Sequence, residues 1–198
     1  MSYPQIYLAS ASPRRRTLLE QIGVRYQLVG IAVEEAWDGR ESPRDHVLRL
    51  ALEKARAGWR CLAAPQAAPV LGADTVVVVD GEIVGKPASQ EQGLAMLEQL
   101  SGRSHEVLTA VALVNGSRHA SRLSISTVSF SPTTAAQRAA YWATGEPHDK
   151  AGGYAIQGRA AAFIARLEGS YSGVMGLPLF ETAALLAEFG VDIFIAPA

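Results

Sequence analysis

Residues 70–87, VLGADTVVVVDGEIVGKP, leave the chain few ways to fold. Consecutive β-branched valines bounded by glycine suit a strand covered on both faces. Asp80-Gly81 between that run and the next apolar residues is a strong hairpin signal. The spacing therefore predicts a strand over residues 75–79, a tight turn, and a return strand over residues 82–84. Two charged residues stand where this hairpin does not need them. Asp74 sits at the mouth of the apolar strand, and Lys86 follows the return strand. The hairpin brings an acid near a base, which suits a metal and a phosphate. A turn-capping aspartate and a solvated lysine fit the same stretch.

Around the hairpin, strands alternate with helices. Residues 5–9 form a short apolar strand. Ser12 and Pro13 then supply a cap and a first helical residue for a helix through Leu18, Leu19 and Ile22, stopped by Gly23. Residues 24–33 alternate as a strand. Ser42-Pro43 opens a second helix with a stripe of Leu48, Leu52, Ala55 and Trp59, from which Lys54 stands apart. Residues 63–69 are a loop. Ser89 and Gln92 make a capping box for a helix ending near Ser101-Gly102. Residues 105–114 and 121–130 pair across a turn at Asn115-Gly116. Ser131-Pro132 opens a further helix closed by Gly145. A polar loop over residues 146–158, a strand over 160–167, a glycine-rich loop over 169–176, a helix from Pro178 to Gly190 and a strand over 192–195 complete the chain. Strand–helix units mixed with hairpins imply one α/β domain, residues 1–198, with a mixed β-sheet and flanking helices.

Arg14, Arg15 and Arg16 occupy the first turn of the first helix, where the helix dipole disfavours cations. An anion sharing the site removes the conflict, with backbone N–H groups, serine hydroxyls and guanidinium forks converging on a phosphate. Successive helical residues point about 100° apart, so all three cannot meet one ligand, and some form a solvated basic face. Glu34-Glu35 beside a strand end can hold a divalent cation or lie solvated.

Composition narrows the function. Hydrophobic residues make up 48% of the 198 and charged residues 19%, with a net charge of −1. No global basic field invites a nucleic-acid polymer. Cys61 is the only cysteine, which excludes an intrachain disulfide and a cysteine zinc cluster. His46, His105, His119 and His148 lack the HExxH spacing of a zinc hydrolase. No glycine pattern matches a P-loop or a dinucleotide fingerprint. Neither a secretory signal nor a membrane-length apolar run is evident, so a cytoplasmic location is expected.

Seven segments run in order: LASASPRR (8–15), ALEKA (51–55), GADTVV (72–77), GKP (85–87), SGRSHEVLTAV (101–111), DKAGGYAIQG (149–158) and GSYSGVMGLP (169–178). Together they resemble the Maf family of nucleoside triphosphate pyrophosphatases, first named for inhibition of septum formation. The resemblance implies two lobes around a deep cleft, as in the inosine triphosphate pyrophosphatase fold. It implies cleavage between the α and β phosphates of a nucleoside triphosphate and housecleaning of nucleotide pools, and members of the family are often homodimers, although no stripe in this sequence demands one. It places the catalytic acid at Asp74 and substrate selection at Arg14, Thr75 and Gln157. The DKAGGYAIQG form resembles the branch acting on dTTP and UTP, whereas the 7-methyl-GTP branch differs here. A nucleotide-binding regulator of division with little catalysis is the rival reading.

The chemistry of the residues fits that reaction. Arg14, Arg15, Lys54 and Lys86 are candidates to offset charge gathering on a leaving pyrophosphate, and Ser10 can hydrogen-bond a phosphate. An aspartate with a pKa near 3.9 is a weak base at neutral pH. Asp74 therefore acts with Mg²⁺ or Mn²⁺, or through a pKa raised by burial. Glu34 is the expected second metal carboxylate. The Gln157 carboxamide, one donor and one acceptor, matches the carbonyl and imide edge of uracil or thymine.

Overall fold

The computed structural model describes residues 5–62 and 68–194. The element order is β1 (Ile6–Ala9), α1 (Pro13–Gln21), β2 (Tyr26–Leu28), α2 (Pro43–Cys61), β3 (Val70–Val79), β4 (Glu82–Val84), α3 (Gln90–Leu100), β5 (Ser104–Asn115), β6 (Arg118–Phe130), α4 (Ala135–Trp142), β7 (Ile164–Glu168), α5 (Tyr171–Met175) and α6 (Leu179–Glu188). Short 3₁₀ turns lie at Ala151–Gly153 and Arg159–Phe163.

The strands form one seven-stranded sheet in the order β2-β1-β3-β5-β6-β7, with β4 also on β3. β1 runs parallel to β2 and β3, and every other pairing is antiparallel. This is the expected mixed sheet. The hairpin at its centre turns at Asp80 and Gly81 with φ of 54° and 86°. Positive φ at both central residues gives the twist that a two-residue hairpin needs, and Asp-Gly tolerates it.

β3 shows why the molecule has two lobes. Alternate side chains of a strand face opposite ways. Leu71 and Ala73 pack into a core with Ile6, Leu8, Leu18, Leu19, Leu185 and Leu186. Val77 and Val79 join a second core with Leu97, Leu100, Phe130, Tyr141 and Tyr154. Thr75 lies between them in the alternation. Val76 and Val78 face the other way and pack with Val47, Ala51 and Ala55 of α2. That face is tight: a Cβ on Gly72 would stand 2.3 Å from the Ala51 carbonyl oxygen and 2.5 Å from the Ala55 nitrogen.

Several elements differ from the sequence reading. The second strand shrinks to Tyr26–Leu28, and the segment after it has no regular structure up to α2. The buried side of α2 is Val47, Leu50, Ala51, Lys54, Ala55 and Gly58, so Lys54 lies on the packed face and not off it. Leu48, Leu52 and Trp59 only flank that core. Ser89 caps α3, but the Gln92 side chain accepts from the Ala88 N–H, so the box does not close on Ser89. α4 starts at Ala135, not after Pro132, because Thr134 and Gln137 form a complete capping box there. The expected strand over 160–167 opens as a 3₁₀ turn and pairs only from Ile164. Residues 192–194 are not strand, and residues 63–67 and Ile195 lie outside the described residues. No helix among the described residues is long and apolar enough to cross a membrane.

Candidate active site

β5 occupies one edge of β3 from Val70 to Val78. β1 and β4 must therefore share the other edge. β1 reaches only as far as Gly72, and β4 begins opposite Val77. Residues 73–76 are left without a strand neighbour on that side, and the gap opens as a cleft. Ser10, Arg14, Arg15, Glu35, Lys54, Asp74, Thr75, Lys86 and Gln157 all line it. The cavity is about 500 Å³, within the range of small-molecule sites. The carboxyl ends of the parallel strands open here, where α/β sheets bind ligands.

Asp74 is 6% exposed and faces α2. Lys54 donates to its Oδ1 at 2.7 Å. The same ammonium lies 2.5 Å from Glu35 Oε1, and Lys86 Nζ lies 3.8 Å from Glu35 Oε2. Two carboxylates thus converge on one buried cation, with a second cation at the mouth. Burial pushes the Glu35 carboxyl up, but the Lys54 hydrogen bond and the charges of Lys54, Lys86 and Arg15 bring it below the ordinary glutamate range. Glu35 is the carboxylate in the cleft. Glu34, the expected second carboxylate, is exposed and does not line it. Neighbouring side chains on a non-helical segment point different ways, so one residue of register decides which of the two enters.

Arg15 is fixed on three sides. Nε donates to the Gly176 carbonyl at 2.8 Å, Nη1 to Ser10 Oγ at 3.0 Å and Nη2 to Thr75 Oγ1 at 3.3 Å. A guanidinium carries five N–H hydrogens, so two remain for a ligand. Burial pushes its pKa down, and Asp74 opposes the fall. Arg14 reaches across the cleft to Asp149 at 3.9 Å, whereas Arg16 does not line the cleft. Ser12 makes no side-chain cap on α1, so its hydroxyl adds a polar group to the wall.

Gln157 is exposed and lines the same cleft as Tyr154, Val77, Val107 and Met175. The Tyr154 hydroxyl meets His105 Nε2 at 2.8 Å. The cleft thus combines cations from α1 and α2 with apolar side chains and a carboxamide. Sequence reading did not single out Asp149, Lys150 or Tyr154 as lining residues, although the DKAGGYAIQG segment contains all three.

The strap from β2 to α2, which carries Glu35, is stapled by Glu41. His46 Nδ1 meets Glu41 Oε1 at 2.7 Å, Arg49 Nε donates to Oε2 at 3.0 Å, and Trp37 Nε1 donates to the Glu41 carbonyl at 3.1 Å. The Arg49 hydrogen bond is the largest influence holding the Glu41 carboxyl down, at about 2. Nothing in the sequence pattern marked this staple.

Relatives agree over nearly the whole chain. The dTTP/UTP pyrophosphatase of Alkalilimnicola ehrlichii is 60% identical over 96% of this chain and 95% of its own length. Those of Aromatoleum aromaticum and Saccharophagus degradans are 54% and 48% identical, covering 96% of this chain and 97% and 90% of their own. Among solved structures, the Ham1 protein of Staphylococcus aureus aligns over 63% of this chain and 70% of its own, at 18% identity and a TM-score of 0.42. The Maf-like protein family profile matches residues 5–189, and this chain belongs to that family.

Proposed function

We propose that this protein hydrolyses dTTP and UTP to the monophosphate and pyrophosphate, with Asp74 as the base. Curated relatives that are 48–60% identical carry the name dTTP/UTP pyrophosphatase. The observation that carries the reading here is the buried Asp74–Lys54 pair, joined by the exposed Glu35, in a cation-rimmed cleft. The triphosphate lies along Ser10, Arg14, Arg15 and Lys86, and the base lies by Gln157. Asp74 Oδ1 is held by Lys54, which leaves Oδ2 to take a proton from water attacking the α phosphorus. The bond to the bridging oxygen breaks, Lys86 meets charge on the departing pyrophosphate, and the two free N–H groups of Arg15 grip the phosphates throughout. Arg14 reaches the phosphates by exchanging Asp149 for them.

The donor set suits Mg²⁺ or Mn²⁺ brought in with the triphosphate. Among the described residues no cluster of three or more His, Cys, Asp or Glu side chains could hold a metal. Mg²⁺ typically takes one or two carboxylates plus substrate phosphates and water, and Asp74 with Glu35 supplies two. Such a cation, when bound, acidifies water and screens phosphate charge. Location in the cytoplasm, no nucleic-acid polymer as partner, and a homodimer complete the proposal.

Pyrophosphate release from equal concentrations of dTTP, UTP, CTP, 7-methyl-GTP and purine triphosphates, with Mg²⁺ or Mn²⁺, is the test. Turnover of dTTP and UTP above the others is expected. Nucleotide binding without release would favour the regulator of division instead.

A further inference from the structure

Thr75 and Thr109 face each other across β3 and β5. They sit in the seam between the two cores, with Val77 and Val107 on one side and Ala73 and Val111 on the other. Thr109 is 1% exposed. Its Oγ1 lies 2.7 Å from the Gly173 carbonyl oxygen and 3.0 Å from Thr75 Oγ1. A threonine hydroxyl has one hydrogen, and a carbonyl can only accept. The Thr109 hydrogen is therefore shared, nearer the Gly173 carbonyl and reaching Thr75 Oγ1 as well. Thr75 Oγ1 thus accepts both from Thr109 and from Arg15 Nη2. Arg15 closes the ring by donating to the carbonyl of Gly176, the C-cap of α5.

We infer that Thr109 is a positioning residue for nucleoside triphosphate binding: its hydroxyl fixes Thr75 as an acceptor and so sets the fork of Arg15 toward the phosphates. The role rests on the pyrophosphatase reading of the cleft, although it concerns binding and not the bond broken. Without the Thr109 hydroxyl, Thr75 Oγ1 loses the donor that holds it in place and can rotate off Arg15 Nη2. An interaction made equally with bound substrate and transition state shows in KM more than in kcat.

The test compares wild type, Thr109→Val and Thr109→Ser, using dTTP turnover and the Kd of a non-hydrolysable α,β-imido-dTTP. Thr109→Val should raise both KM and Kd about tenfold, the scale of one lost hydrogen bond, with kcat changed less than about threefold. Thr109→Ser, which keeps the hydroxyl, should recover most of the loss. Thr75→Val combined with Thr109→Val should be no worse than Thr75→Val alone, because both act through one chain of bonds. If Thr109→Val does not fold, Thr109→Ala gives the same readout. Analogue binding unchanged by loss of the hydroxyl, a serine variant as weak as the valine one, or additive losses would each overturn the role. A wild type that binds the analogue but leaves dTTP and UTP intact removes the pyrophosphatase reading and leaves Thr109 testable by Kd. A wild type that does not bind the analogue overturns both.

Discussion

At the scale of the residue, the site turns on Lys54. It is 6% exposed and lies between two carboxylates, where a cation is needed to offset their repulsion. Asp74→Asn removes the base and keeps the shape. A general base contributes typically 10²–10⁴-fold, so kcat should fall by about that range while α,β-imido-dTTP binds within a few-fold of wild type. A near-normal rate would end the assignment of Asp74. Gln157→Glu replaces a donor with an acceptor at the base end, and turnover of dTTP and UTP should fall by about 10²-fold or more. Unchanged kinetics would take Gln157 out of base selection. Asp74 and Lys86 stood out in the sequence because a hairpin gave them no structural job. The same local view put Lys54 outside the packed stripe and chose Glu34 over Glu35, because both decisions depend on what lies opposite, not on spacing along the chain.

At the scale of the element, α2 and β3 approach so closely at Gly72 that the two backbones are nearly in contact. A methyl group at Gly72 would enter the Ala51 carbonyl and the Ala55 amide. Lys54 sits between those two residues on the helix, so moving α2 outward draws its ammonium off Asp74. Gly72→Ala should cost about 1–3 kcal/mol in urea unfolding, as overpacking does, and should also lower turnover per folded molecule. Loss of stability with normal turnover would show that the Lys54–Asp74 contact is not needed. Elements were legible where local chemistry was decisive. The Asp80-Gly81 hairpin and the Ser89 cap fell where turn and cap residues put them. α4 was misread because two cap candidates stand three residues apart, and the pair that closes a full box at Thr134 and Gln137 wins over Ser131-Pro132.

At the scale of the whole molecule, the sheet binds two cores whose shared seam is the cleft, and His105 links stability to pH. It is 3% exposed beside Phe130 and Tyr154, and burial pushes its pKa down to about 4. An unfolded histidine titrates near 6.5. Between these values the unfolded chain binds a proton that the folded one refuses, so stability falls as pH drops from 6.5 to 4. The loss should reach about 3 kcal/mol. Glu41 titrates lower in the fold, near 2. The stability it contributes is full above the ordinary glutamate pKa and is lost only as pH falls further. Urea unfolding of wild type and His105→Gln between pH 4 and 7 reads the histidine part. The variant should flatten the slope, and an unchanged slope would assign the pH dependence elsewhere.

β5 has neighbours on both edges, β3 has them everywhere but at residues 73–76, and β2 and β7 close the sheet at its margins. Deuterium uptake should therefore reach the margins by fraying, while the amides that bind β3 to β5 beside Asp74 and Thr109 wait for the molecule to come apart. The acid is thus as durable as the fold itself. Evolutionary tuning of speed or choice of base would then fall to the strap and the loops, which can loosen without dissolving the centre.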